Sequence, residues 1–86
     1  MSDYNGWKNR ATWNVALWIN NNEQCYAHAL AFMAYDRKLA DLGFPIKANA
    51  YQRFVYMMGL DQTPDGYSYT DESLDIEALD EMMLEL

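Results

Sequence analysis

Three groups of residues in this 86-residue chain have the types and spacing for chemistry. The single cysteine, Cys25, and the single histidine, His28, stand three apart, close enough to touch on a helix, and a Cys–His pair can generate a thiolate nucleophile. No glycine-rich turn or local signature accompanies them, and the plain alternative is a small buried thiol beside a packing or surface imidazole. There is no second cysteine, no second histidine and no Gly-rich phosphate loop. The expectation is therefore a protein that is not an enzyme, with no catalytic residue and no cofactor.

The second group is Asp61, Thr63, Asp65, Gly66 and Glu72, which fall at positions 1, 3, 5, 6 and 12 of a calcium-binding loop. Against that use, Pro64 sits where the chain must wrap the ion, Ser68 replaces the usual aliphatic residue at position 8, and no second loop exists to pair with. Thr63-Pro64-Asp65-Gly66 has the residues of a type I turn without any ion. No metal is expected, with Asp61, Thr63, Asp65 and Glu72 as the ligand set of a calcium-binding alternative.

The third group is a run of carboxylates. Residues 61–86 hold nine acids and no base, while residues 1–60 hold all six bases (Lys8, Arg10, Arg37, Lys38, Lys47, Arg53) and four acids, for a net charge of −7. Such a C-terminal third repels a phosphate backbone and attracts something basic. Glu77, Glu81 and Glu85 are four apart, so on a helix they stack roughly 6 Å from one another. That is near the phosphate spacing of a nucleic-acid strand, and such a face could imitate phosphates before a basic groove. The alternative is the solvated side of an ordinary amphipathic helix. Like charges at this spacing cost a few tenths of a kcal/mol each, no Lys relieves them, and Leu84 lies among them as an apolar point a partner could cover. The candidate contacts are Asp71, Glu72, Asp75, Glu77, Asp80, Glu81 and Glu85. An ordinary interaction or assembly module would instead use exposed aromatics such as Tyr67 and Tyr69.

These groups need elements to hold them. Met1 to Lys8 reads as a loop with Asn5-Gly6 as its turn signal. Asn9 can cap a helix reaching about Asn20. Trp13, Ala16 and Leu17 share one face of it and Val15, Trp18 and Ile19 the other, which predicts a helix buried on several sides at the centre of the domain. Asn22 can cap a second helix, about Glu23 to Leu42, stopped by Gly43. A third, about Ile46 to Met58, sets Ile46, Ala50, Phe54, Met57 and Met58 in a stripe and ends at Gly59. Tyr67-Ser68-Tyr69 can pair with Leu60 to Gln62 across the turn. Ser73 or Asp75 then caps a last helix whose apolar face is Ile76, Leu79, Met82, Met83 and Leu86. The fold class expected is mainly α: about four helices, with a short turn or two-stranded hairpin before the last. One domain, 1–86, divides into the loop 1–8, a three-helix aromatic core 9–59, and an acidic hairpin and helix 60–86.

Tyr4, Trp7, Trp13 and Trp18 with Lys8 and Arg10 could stack on bases and hold phosphate. Trp13 and Trp18 lie on an apolar helix and read as core, and two bases make a poor groove on so acidic a chain. Direct nucleic-acid binding is not expected.

Tyr4-Asn5-Gly6-Trp7-x-Asn9-x-x-Thr12-Trp13-x-Val15-x-Leu17-Trp18 resembles the opening YNGWxNxxTWxVxLW of a family of small proteins carried by phages, plasmids and some bacterial genomes. Thr63-Pro64-Asp65-Gly66 and Leu74-Asp75-x-x-Ala78-Leu79-x-x-Met82 are similar to that family too. The resemblance implies a genomic setting and no catalytic residue. That setting includes many small proteins that block host defence systems by occupying nucleic-acid or partner sites. By that analogy the expected function is an accessory protein that inhibits a host factor, such as an anti-CRISPR or anti-restriction inhibitor, whose partner is a host protein or nucleoprotein complex with a basic surface.

At this length folding buries only roughly 60–65% of the chain's surface, but 51% of the residues are apolar and thirteen are aromatic. That excess, with an alanine-rich second helix, suggests a homodimer with this helix as its seam. One cysteine permits no internal disulfide, which suits a reducing compartment. The polar, aromatic N-terminus is no signal peptide, and no apolar run reaches about 18 residues. A cytoplasmic protein without a membrane partner is expected.

Overall fold

The computed structural model describes residues 6–44 and 49–86, among which the chain forms four α-helices and no strand. They are α1 (Arg10–Asn21), α2 (Glu23–Asp41), α3 (Ala50–Met58) and α4 (Ile76–Leu84), the mainly α bundle expected. Asparagines set the first two boundaries. The Asn9 carboxamide oxygen accepts the Thr12 N–H at 2.9 Å, and that of Asn22 accepts the Cys25 N–H at 3.0 Å. Asn22 also closes α1, its own N–H donating to the Trp18 carbonyl at 3.1 Å, so one residue turns one helix into the next. Gly43, at φ +90°, stops α2 in the left-handed region open to glycine. The Phe44 N–H then returns to the Leu39 carbonyl at 3.0 Å.

The expected start of the third helix at Ile46, with Lys47, lies outside the described residues, as does most of the N-terminal loop, including Tyr4 and Asn5. α3 is described from Ala50, behind Asn49 at φ 73°, which provides no side-chain cap. The cap comes from α4, where the Asp80 carboxylate accepts the Tyr51 N–H at 2.9 Å and meets the positive end of the helix dipole.

The core draws Val15 and Ile19 from α1, Met33 from α2, Tyr51 and Phe54 from α3, and Leu79 and Met83 from α4. α4 touches all three other helices, whereas α1 touches α2 and α4 but not α3. Against the expectation of a central first helix, α1 buries six residues but does not meet α3, whereas α2, like α4, touches all three others. Two of the six, Thr12 and Asn14, are polar and face the 63–75 segment instead of α3.

Trp13 and Trp18 are also not core; both are half-buried. The enclosed rings are Tyr51, Phe54 and Tyr69. An indole N–H needs a partner when taken from water, and Trp18 meets that need at the margin by donating to Asp65 at 2.9 Å. On α3, Ala50 and Phe54 are buried as expected, but Met57 is 62% exposed and Met58 lies at the open end of the helix. Tyr51 and Val55 take their place, and Phe54 sets its ring edge-on to Phe32 with centroids 5.6 Å apart.

Between α3 and α4 the chain makes the expected turn, with the Gly66 N–H on the Thr63 carbonyl at 2.8 Å. The hairpin around it is reduced to one antiparallel bridge, Gln62 to Ser68, flanked by Thr63 N–H to Tyr67 O at 2.8 Å and Tyr69 N–H to Asp61 O at 3.0 Å. No described helix is long and apolar enough to cross a membrane.

Candidate functional site

The seven candidate acids divide by what they touch. Asp75 caps α4, its carboxylate accepting the Ala78 N–H at 3.2 Å, while its own N–H donates to the Thr12 hydroxyl at 3.0 Å. Asp80 is the cap of α3 and only half-exposed. Asp71 accepts the Ser73 N–H and hydroxyl at 2.7 and 2.6 Å, and these bonds hold its carboxyl below the usual range. Asp75 and Asp80 cap helices, while Asp71 closes a local turn and stays exposed. Glu72, Glu77, Glu81 and Glu85 are exposed, and none of them forms an ion pair among the described residues. Leu84 is 61% exposed beside them.

The rest of α4 explains this division. Leu79 and Met83 are fully buried, with Ile76, Met82 and Leu86 packed against the core, so residues 77, 81 and 85 must face outward. One base does approach: Arg37 of α2 donates to the carbonyls of Leu84, at 3.1 Å, and Leu86, satisfying the open end of the helix. Beside the three glutamates, Trp7, Met82, Glu81 and Glu85 line a cleft of about 310 Å³.

In the turn, two of the four calcium candidates, Asp65 and Thr63, bond to other groups. The Asp65 carboxylate accepts the Asn14 amide at 2.8 Å and the Trp18 indole at 2.9 Å, which hold its carboxyl below the usual range. The buried Thr63 hydroxyl donates to the Asn14 carboxamide oxygen at 2.7 Å and accepts the Tyr67 N–H at 3.2 Å. Among the described residues no three carboxylates, imidazoles or thiols gather as a metal site, and Thr63 and Asp65, two of the four residues of the calcium alternative, form a hydrogen-bonded clamp between α1 and the turn. Asn9 extends it, its amide donating to the Ser73 carbonyl at 2.6 Å. The residues that carry the sequence resemblance (Asn9, Thr12, Trp18, Thr63, Asp65 and Asp75) therefore bond one another or their neighbours across the fold.

A direct consequence concerns Thr63→Val, which strands the Asn14 oxygen and the Tyr67 N–H. It should cost about 1–3 kcal/mol, read as a lower urea midpoint at unchanged slope. Thr63→Ser, keeping the hydroxyl, should lose much less. Equal midpoints for the Thr63→Val and native chains would remove the clamp from the account.

Cys25 and His28 both border a shallow cleft with Trp18, Met58 and Tyr69, but burial pushes the Cys25 thiol up from its ordinary value, away from the thiolate. The expectation of exposed Tyr67 and Tyr69 is corrected as well. Tyr69 is 6% exposed, with its carbonyl accepting the Tyr51 hydroxyl at 2.7 Å, and Tyr67 is half-buried against the core. Both point inward because the turn lies on the bundle rather than standing off it. Among the described residues the exposed aromatics are Tyr56, at 90%, with Tyr26, Tyr35 and Phe44. Tyr56 was legible in the sequence, since two residues beyond Phe54 is the opposite side of a helix. The role of Trp7 beside α4 had no local signal.

The chain belongs to a protein family of unknown function (DUF7249), whose match covers residues 1–86. No curated protein and no solved structure matches it.

Proposed function

We propose that this member of the family is a binding protein, not an enzyme, whose working surface is the outward side of α4. The observation that carries this reading is the division of the acids. The fold uses Asp71, Asp75 and Asp80, and leaves Glu77, Glu81 and Glu85 exposed in a row without an ion pair among the described residues. The cleft beside them supports a basic partner, since an entering guanidinium would meet two carboxylates and the Trp7 indole. The partner proposed is a host protein or nucleoprotein complex with a basic, phosphate-binding surface, in the cytoplasm of the host cell. The protein would be a phage- or plasmid-type accessory inhibitor of nucleic-acid-handling defence. The row of carboxylates, roughly 6 Å apart along the helix, supports imitation of a phosphate strand. Affinity capture from host lysate with the native chain and with E77K/E81K/E85K tests this. A protein held by the first and lost from the second is the result expected, and equal capture by both would sink the reading.

Self-association is a second proposal, favoured by α2. Only Ala29 and Met33 of that helix are buried, while Tyr26, Leu30 and Tyr35, with Ala27, Ala31 and Ala34 between them, face outward. Sedimentation at roughly hundreds of micromolar should find about twice the 10.0 kDa chain mass, and Leu30→Glu should return it to one. A native chain that sediments at 10.0 kDa under those conditions would exclude the dimer.

A further inference from the structure

We infer that the groove between α3 and the 60–72 segment is a second binding site, which takes a short peptide segment of a protein partner bearing an apolar anchor flanked by Lys or Arg. This surface is separate from the glutamate row of α4 and does not depend on the function proposed for it.

The groove encloses about 750 Å³, and its apolar lining comes from Tyr51, Val55, Leu60, Tyr69 and Ile76. That volume admits one or two large side chains and lies in the range of specific ligand sites. Asp61, Asp71 and Glu72 line it as well, and among the described residues no Lys or Arg does. Tyr56, 90% exposed, stands at its edge.

The chemistry selects the occupant. Three carboxylates around an apolar trough repel a nucleic acid or any other anion. They attract a segment that offers cations on either side of an apolar residue. A small polar molecule would need fixed groups to orient it, but the Tyr51 hydroxyl already donates to the Tyr69 carbonyl, and the remaining uncharged polar side chains here are Gln52, Thr70, the phenol of Tyr69 and the edge ring Tyr56. Affinity would then come from covering apolar surface, and selectivity from the acids. Tyr56 adds an aromatic face with few rotamers to lose, of the kind enriched where proteins meet, and it can lie against a guanidinium or cover the anchor. Asp71 is held ready as an anion by its bonds from Ser73.

The test uses a short fluorescent peptide with a Leu-Trp anchor between lysines, titrated against the full chain by anisotropy. Two matched peptides carry Glu for Lys and Ser for the anchor residues. Binding by the Lys peptide alone is expected, weakened about tenfold or more by Tyr56→Ala or by D61K/E72K and retained by E77K/E81K/E85K. Tyr56→Ala removes an exposed ring, so it keeps the test valid even where the double reversal disturbs the turn; circular dichroism checks each variant. Three results would each overturn the proposal: no binding by the native chain, equal binding of the Glu or Ser peptide, or binding unmoved by Tyr56→Ala. Loss of binding in E77K/E81K/E85K would also overturn it, by moving the peptide to α4.

Discussion

Leu79→Asp should leave the chain unfolded at room temperature. Leu79 is 0% exposed and sits on α4, which, like α2, meets all three other helices. The substitution removes roughly 1.5–3 kcal/mol of side-chain burial, and it places a carboxylate where nothing pairs with it, at several kcal/mol more. A domain of this length has a total stability of about 4–13 kcal/mol, so the two losses together are comparable with all of it. Far-UV circular dichroism should show the helical signal lost at neutral pH. Leu84→Asp is the matched control, because that residue is 61% exposed five positions along the same helix; it should fold normally. A Leu79→Asp chain with a native spectrum and melting temperature would contradict the placement of Leu79 in the core.

Local signals in the sequence were sufficient for the four helices and most of their boundaries, the expected start of the third at Ile46 lying outside the described residues. Asn9, Asn22 and Asp75 cap where their side chains can reach an N–H three residues on, and Gly43 stops α2 where a left-handed residue is needed. The apolar stripe of α4 was legible because Leu79 and Met83 are four apart and the acids fill the other side. What failed depends on distance in sequence. Asp80 reads as one acid of a run until α3, 29 residues earlier, is seen to need a cap. Asp65 has calcium-loop spacing until Asn14 and Trp18, 51 and 47 residues away, take its carboxylate. Trp13 and Trp18 were read as core because they lie on an apolar helix, although the need of the Trp18 N–H for a partner is met at the rim. For the candidate site, the exposed row of Glu77, Glu81 and Glu85 was visible from periodicity, whereas the hydrogen bonds that engage Asp71, Asp75 and Asp80 were not.

Charge reversal at that row carries the largest functional effect. E77K/E81K/E85K should weaken partner binding on the order of a hundredfold or more, because attraction at three points becomes repulsion at three. The fold should persist. The three positions lie opposite Leu79 and Met83, and a cation at residue 85 favours the C-terminal end of a helix. The Glu77→Lys change puts a cation in the first turn, where it opposes the dipole at a cost of about 0.3–1 kcal/mol. The neutral set E77Q/E81Q/E85Q should fall between native and reversed chains. A reversed chain with native helicity and native affinity would reduce the glutamate row to solvation.

The most direct measurement of the central claim is the salt dependence of affinity for the captured partner. Exposed carboxylates meeting a basic surface are screened as ionic strength rises, so the dissociation constant should climb steeply between about 50 and about 500 mM salt. The slope should flatten in E77Q/E81Q/E85Q. An affinity that holds constant across that range, in both chains, would show that the partner is bound by apolar surface elsewhere and that α4 is not the working face.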